Sequence, residues 1–127
     1  PFIVDAWMLT AKQLKSDLNR CTAGKAFVRV VWSNGMSAYP TGALPGQAVV
    51  DSYRAIFRTS AGKRLVIAPV ALGDLNDHNN PFLEDNMHDL CLAAVPKGAV
   101  LTRVTLGANL LQDPNGDPNA AQRFSVR

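Results

Sequence analysis

Turn-forming residues recur along this chain at intervals of roughly 8 to 12 residues, and that spacing limits what it can fold into. Asn34-Gly35, the segment from Pro40 to Gly46, Ser60-Ala61-Gly62, Gly73 to Asn80, Pro96-Lys97-Gly98 and Asp113 to Pro118 each break the apolar pattern. Between them lie short runs rich in Val, Ile, Phe and Trp, side chains that suit a pleated, half-buried surface. No run approaches the ~20 apolar residues a bilayer-spanning helix needs. The spacing predicts a mainly β chain: a single antiparallel β-sandwich or barrel, jelly-roll-like, of five to seven strands with one short N-terminal helix.

Phe2 to Leu9 reads as the first strand. Thr10 is a helix N-cap, followed by Ala11, Leu14, Leu18 and Cys21 at helical spacing up to Gly24. Phe27 to Trp32 form a strand that Ser33-Asn34-Gly35 is expected to turn, because Asn and Gly tolerate positive φ. Residues 38 to 48 make the longest loop of the first half, and long loops in small domains are often functional. From Ala48 to Thr59, Val49, Tyr53 and Phe57 share one side while Arg54 and Arg58 face the other, as in a half-buried strand. Arg64 to Leu72 is a further β-rich run in which Pro69 marks an edge or a bulge.

Two readings stay open after Asn80. Phe82, Leu83, Met87, Leu90, Cys91 and Ala94 keep helical spacing, with Pro81 allowed at the first helical position. Alternatively Met87 to Val95 is a strand that turns at Pro96-Lys97-Gly98 into Ala99 to Leu106, and this extended reading is the one favoured. Asp113 to Pro118 is a surface loop, and Arg123 to Arg127 a final short strand.

At 127 residues and 47% apolar, the chain has the size and composition of one domain, with residues 1–24 as an N-terminal segment and 25–127 as the β domain. The net charge of +3 is modest, but its distribution is uneven. Residues 1–63 hold eight basic and three acidic side chains, and residues 64–127 hold five basic and seven acidic ones, so copies could attract one another through opposite faces. Cys21 and Cys91 fit no metal or framework spacing and are expected to be free, buried thiols. The opening residues lack the basic and apolar regions of a signal peptide, which leads us to expect synthesis in a host cytoplasm.

No single motif compels an activity. Asp74, Asp77, His78, Asp85, His88 and Asp89 offer metal donors without metal-site spacing, and Asp113, Asn115 and Asp117 start a calcium-like loop that lacks its glycine and its glutamate. No nucleophile elbow or phosphate loop occurs, so neither cofactor nor metal is expected. Nucleic acid would engage Lys12, Lys15, Arg20, Lys25, Arg29, Arg54, Arg58, Lys63 and Arg64. Tyr53 and Phe57 lie on the opposite side from Arg54 and Arg58, so bases could not stack where those arginines hold phosphates.

Pro1-Phe2-Ile3-Val4, the following helix and the strand at Val28 to Trp32 resemble the first β-α-β unit of the tautomerase superfamily. That resemblance implies Pro1 as a catalytic base and requires a helix over 82–94. Residues 65–106 are similar to the small β proteins that decorate or cement tailed-phage heads. The likeness rests on the strand Leu65 to Leu72, the loop Gly73-Asp74-Leu75, and His88 to Val104 with its Pro96-Lys97-Gly98-Ala99 turn. It implies a non-enzymatic virion component that binds the major capsid protein or copies of itself, with small substrates not expected. Exposed arginines and open strand edges suit such association. The contact residues expected are Arg29, Tyr39, Pro40, Leu44, Arg54, Arg58, Leu75 and Phe82.

Overall fold

The computed structural model describes residues 1–9, 26–74 and 85–126. Within them lie β1 (Ile3–Met8), β2 (Ala26–Ala38), α1 (Gln47–Ser52), β3 (Arg54–Arg58), β4 (Arg64–Ile67), β5 (Ala71–Asp74), β6 (Asp85–Leu92), β7 (Val100–Leu106), β8 (Leu111–Gln112) and β9 (Gln122–Ser125). The strands form two antiparallel sheets. The first runs β1-β2-β6-β5, with β8 paired to the end of β2, and the second runs β4-β3-β7-β9. The expected sandwich is therefore the observed one, and two separate sheets with free edges stand where a closed barrel would have none.

Period-two alternation explains the stacking. Val28, Val30 and Trp32 of β2 and Leu90 and Leu92 of β6 point inward from the first sheet, against Ala55 and Phe57 of β3 and Val104 and Leu106 of β7 from the second. Burying a branched or aromatic side chain of this kind contributes about 1.5–3 kcal/mol. Tyr53, Met36 and Leu111 complete the layer between the sheets.

The prolines mark crossings. β4 and β5 follow each other in the chain yet lie in different sheets, and Ala68-Pro69-Val70 carries the chain between them. Pro69 has no N–H to give a ladder, so it sits where the ladder stops. β6 and β7 also lie in different sheets. The turn between them has Gly98 at φ +84°, and the Ala99 N–H donates to the Pro96 carbonyl at 3.1 Å.

Several expectations are corrected. Ser33-Asn34-Gly35 does not reverse the chain: β2 runs on through it, its ladder to β6 shifting register between Val31 and Met36 while Ser37 and Ala38 pair with β8. The Asn-Gly pair absorbs a change of partner rather than closing a hairpin. Residues 47–52 are the helix α1, so the strand begins only at Arg54. Val49 and Tyr53 are four apart, a spacing that keeps two side chains on one side in a helix and in a strand alike. Tyr53 ends the helix with extended backbone, φ −62° and ψ 140°, its N–H donating to the Val49 carbonyl. Cys91 is not a free thiol but is disulfide-bonded; the chain's one other cysteine, Cys21, lies outside the described residues, as does the helix expected over 11–21. Residues 85–92 are strand, so the helix that the tautomerase resemblance requires is not formed there.

Asn119 organises the last crossing. It is 1% exposed; its Oδ1 accepts from the N–H groups of Leu110 (2.9 Å) and Leu111 (2.8 Å), and its Nδ2 donates to the carbonyls of Gly107 and Ala120, both at 2.8 Å. Asn119→Ala leaves those backbone groups without partners, and a buried orphan costs about 1–3 kcal/mol. We expect that variant to lose about 3 kcal/mol in urea unfolding, whereas an exposed neighbour, Ala120→Ser, changes little.

Candidate functional site

The polar groups inside the sandwich serve the fold. Trp32 (β2), Tyr53 (before β3) and His88 (β6) are buried between the sheets. The Trp32 indole Nε1–H donates to Tyr53 Oη at 2.9 Å, and Oη lies 2.8 Å from His88 Nδ1. Tyr53 already accepts from Trp32, so its proton is best directed at Nδ1, which leaves the imidazole hydrogen on Nε2, an atom with no hydrogen-bond partner among the described residues. Burial lowers the His88 pKa to about 4 and pushes the Tyr53 hydroxyl up from its ordinary value. Neither surface depression described below is lined by any of the three. A neutral imidazole sealed from solvent has no route to a substrate.

Arg29 is also buried, on the face of the first sheet turned away from the second. It stands directly across from Asp89 in the β2–β6 ladder, with Nε to Oδ1 at 3.1 Å and Nη2 to Oδ2 at 3.5 Å, and Asp89 is wholly buried. Arg29 was expected at a protein contact; burial and this partner take it out of play.

The outward face of the second sheet is different. In β3, Tyr53, Ala55 and Phe57 point inward, so Arg54, Ile56 and Arg58 point outward. Arg64 of β4 stands opposite Arg58 and Val66 opposite Ile56. Arg103 of β7 stands opposite Ile56 and Thr105 opposite Arg54. Arg123 of β9 stands opposite Thr105, and Ser125 opposite Arg103. Residues paired across an antiparallel ladder share a face, so five arginines are collected on one side of a four-stranded sheet. None of its strand residues is acidic. Among the described residues no carboxylate lies within ion-pair distance of any of the five; the ion pair they contain is Arg29–Asp89.

Four of the five form a line. With strands ~4.8 Å apart and a rise of ~3.3 Å per residue, one strand across and two residues along is about 8 Å. Arg58 to Arg103 is one such step and Arg103 to Arg123 is the next in the same direction, with Arg64 beside Arg58 at the start. The register shift between Ile56 and Phe57 makes this possible, because the extra β7 residue it admits re-phases the strand and lets Arg103 face outward. Arg58, Arg64 and Arg103, with Gly62, Ile56, Phe57 and Thr102, line a shallow depression of about 300 Å³. Arg54 is held apart: its Nη1 donates to the carbonyls of Asp51 (2.7 Å) and Tyr53 (2.6 Å) at the end of α1. Directly opposed like charges destabilise a sheet, so the Arg58–Arg64 pair costs the isolated fold something that a bound anion would offset.

A second depression, of about 730 Å³, follows the flank where the edge strands β1 and β9 come together and is lined by Val4 to Trp7 and Arg123 to Val126. Ile3 N–H donates to Gln122 Oε1 at 3.0 Å and ties β1 to β9.

Of the other expected contact residues, Arg58, Tyr39, Pro40 and Leu44 are exposed, Arg54 is half-buried, and Leu75 and Phe82 lie outside the described residues. Tyr39, Pro40 and Leu44 share the loop after β2, away from the arginine line in the chain, and Pro1 is half-buried at the start of β1. Arg103 and Arg123 were not among the expected site residues. The signal for Arg123 is its place between apolar and polar residues in a short terminal strand; Arg103 gives none, since simple alternation in 100–106 puts it on the Leu101 side, and Leu101 points inward.

Compared with protein families, with characterised proteins and with solved structures, the chain matches none.

The His88 environment has a measurable consequence. The unfolded imidazole takes its proton near pH 6.5 and the folded one only near pH 4, so the unfolded state binds more protons between those values and stability falls as the pH drops through them. The loss reaches about 3 kcal/mol at pH 4. Denaturant titrations at pH 7 and pH 4 should show it, and His88→Met should reduce the difference by about that amount; an equal difference in both proteins would contradict this account of His88.

Proposed function

We propose that this chain is a non-enzymatic structural protein that holds a polyanion against the outer face of its second sheet, as a component of a nucleoprotein assembly such as a virion. The observation that carries the reading is the unneutralised arginine face: five outward guanidinium groups, four of them in a line, on one sheet face with no acidic side chain among their strands. Guanidinium groups bind phosphate and carboxylate through paired N–H donors and keep their charge at any physiological pH. The polar residues in the interior work for the fold, and the arginine line borders an open depression, an arrangement that favours binding over turnover.

The role of a virion component draws on further features. Among the described residues β4 and β5 end their sheets without a further strand partner, which leaves backbone groups for neighbours, whether capsid protein or further copies of the chain. Of the segments that carry the phage-head resemblance, His88 to Val104 spans β6, the Pro96-Lys97-Gly98 turn and most of β7, whereas Leu65 to Leu72, expected as one strand, is divided between β4 and β5 in different sheets. The Cys91 disulfide suits a protein that meets oxidising surroundings, as particle surfaces do.

The reading predicts retention on a heparin column at about 50 mM salt and release as salt screens the contact. A double variant, Arg58→Ser with Arg103→Ser, should elute at clearly lower salt with unchanged circular dichroism. Elution at the same salt as the parent chain would overturn the assignment of the sheet face.

A further inference from the structure

We infer that the anion this face holds is the sugar-phosphate backbone of one single strand of nucleic acid, laid diagonally across the sheet along Arg64, Arg58, Arg103 and Arg123. The inference rests on the polyanion reading above and specifies its ligand. Three features of the face support it.

The first is the shape of the charge. Four of the outward arginines make one row, Arg64 directly opposite Arg58 at ~5 Å and then two diagonal steps of about 8 Å to Arg103 and Arg123, not two parallel rows separated by the width of a duplex groove. A row with one charge per step matches a chain with one phosphate per nucleotide, which a flexible single strand can bring into register. Arg54, the one arginine off the row, has its Nη1 occupied by two backbone carbonyls.

The second is what lies between the charges. Val66 and Val100 are 44% and 53% exposed, and each pairs across the ladder with a residue of the same outer face, Ile56 and Arg58 respectively. Apolar surface beside phosphate-binding groups suits bases that are unstacked and open to contact, as in a single strand. A duplex encloses its bases and would meet these valines with phosphate. No aromatic side chain faces out from the four strands: Phe57 is 1% exposed and Phe124 alternates inward beside Arg123. The strand is therefore held by its backbone, without base stacking, and sequence preference is weak.

The third is the pattern of neutral donors. Thr105 and Ser125 face outward beside Arg123 and Arg103, whereas the Thr102 hydroxyl at the depression already donates to the Ile56 carbonyl at 3.1 Å. Hydroxyl groups interleaved with guanidinium groups are common phosphate partners, whereas an acidic protein surface would need only the charges.

The test is fluorescence anisotropy with a labelled 12-nucleotide oligo(dT), a blunt duplex of equal length and polyglutamate, from 50 to 200 mM salt, using the full chain. The strand should bind more tightly than the duplex or polyglutamate, with a log–log salt slope of about −2 to −3, the value for three or four phosphates at about −0.7 each. Arg58→Ala, Arg103→Ala and Arg123→Ala should each weaken binding several-fold and flatten the slope by about 0.7, whereas Lys97→Ala, the same charge removed from an exposed turn, changes both little. Duplex binding equal to or tighter than single-strand binding, or a Lys97→Ala effect as large as those on the row, would overturn the single-strand inference while leaving the polyanion reading in place. Equal binding of polyglutamate would replace nucleic acid with an acidic protein as the ligand. Absence of binding to all three and to heparin would overturn both readings. Circular dichroism of each variant separates loss of contact from loss of fold.

Discussion

The hydrogen bonds that join Trp32, Tyr53 and His88 across the sandwich are the constraint on which the rest of the structure depends. Trp32 and His88 belong to the first sheet and Tyr53 enters the second, so the chain of contacts ties the two layers at one buried point. A tyrosine hydroxyl and an indole N–H placed in an apolar interior cost several kcal/mol unless they find each other. Once Tyr53 is committed inward, alternation leaves no freedom along β3: Ala55 and Phe57 follow it into the core, and Arg54 and Arg58 must face solvent. A slip of one residue would bury two guanidinium groups and expose a phenylalanine. The core thus sets the direction in which the arginines point.

The two sheets treat arginine in opposite ways. In the first, Arg29 is buried and held by Asp89, and deleting either partner would leave a charge stranded away from water. In the second, the arginines stand on an open face with no carboxylate to hold them, and two of them oppose each other across the ladder. Such a face stays well solvated and costs the fold little, but its field adds up over the surface and draws in counter-ions. A rigid sheet also holds the charges at fixed separations, so a ligand with evenly spaced charges loses less in ordering the site than it would on a flexible loop.

Much of this was legible in the residue pattern, and the part that was not has identifiable causes. The mainly β class, the turns at 60–62 and 96–98 and the extended form of 87–92 follow from turn residues whose conformational demands are local. The opposition of Tyr53 and Phe57 to Arg54 and Arg58 follows from alternation alone. Local rules do not say which sheet a strand joins. Pro69 could be read as an edge or bulge, but that it separates strands of different sheets depends on pairings far away in sequence. Arg103 reaches the outer face because β7 slips by one residue against β3, and a bulge leaves no mark in alternation. Residues 47–52 escaped because Val49 and Tyr53 fit a helix as well as a strand, and the disulfide of Cys91 because nothing in its sequence neighbourhood marks a bonded cysteine.

The central claim is that the outward face of β4, β3, β7 and β9 performs the work of this protein. Residue-by-residue amide shifts on titration with a short single-stranded oligonucleotide address it most directly. The account predicts changes that cluster on Arg58, Arg64, Arg103, Thr105 and Arg123, with the buried ladder of Val28 and Val30 silent. Changes confined to β1 or to the loop after β2, or none at saturating oligonucleotide, would contradict it.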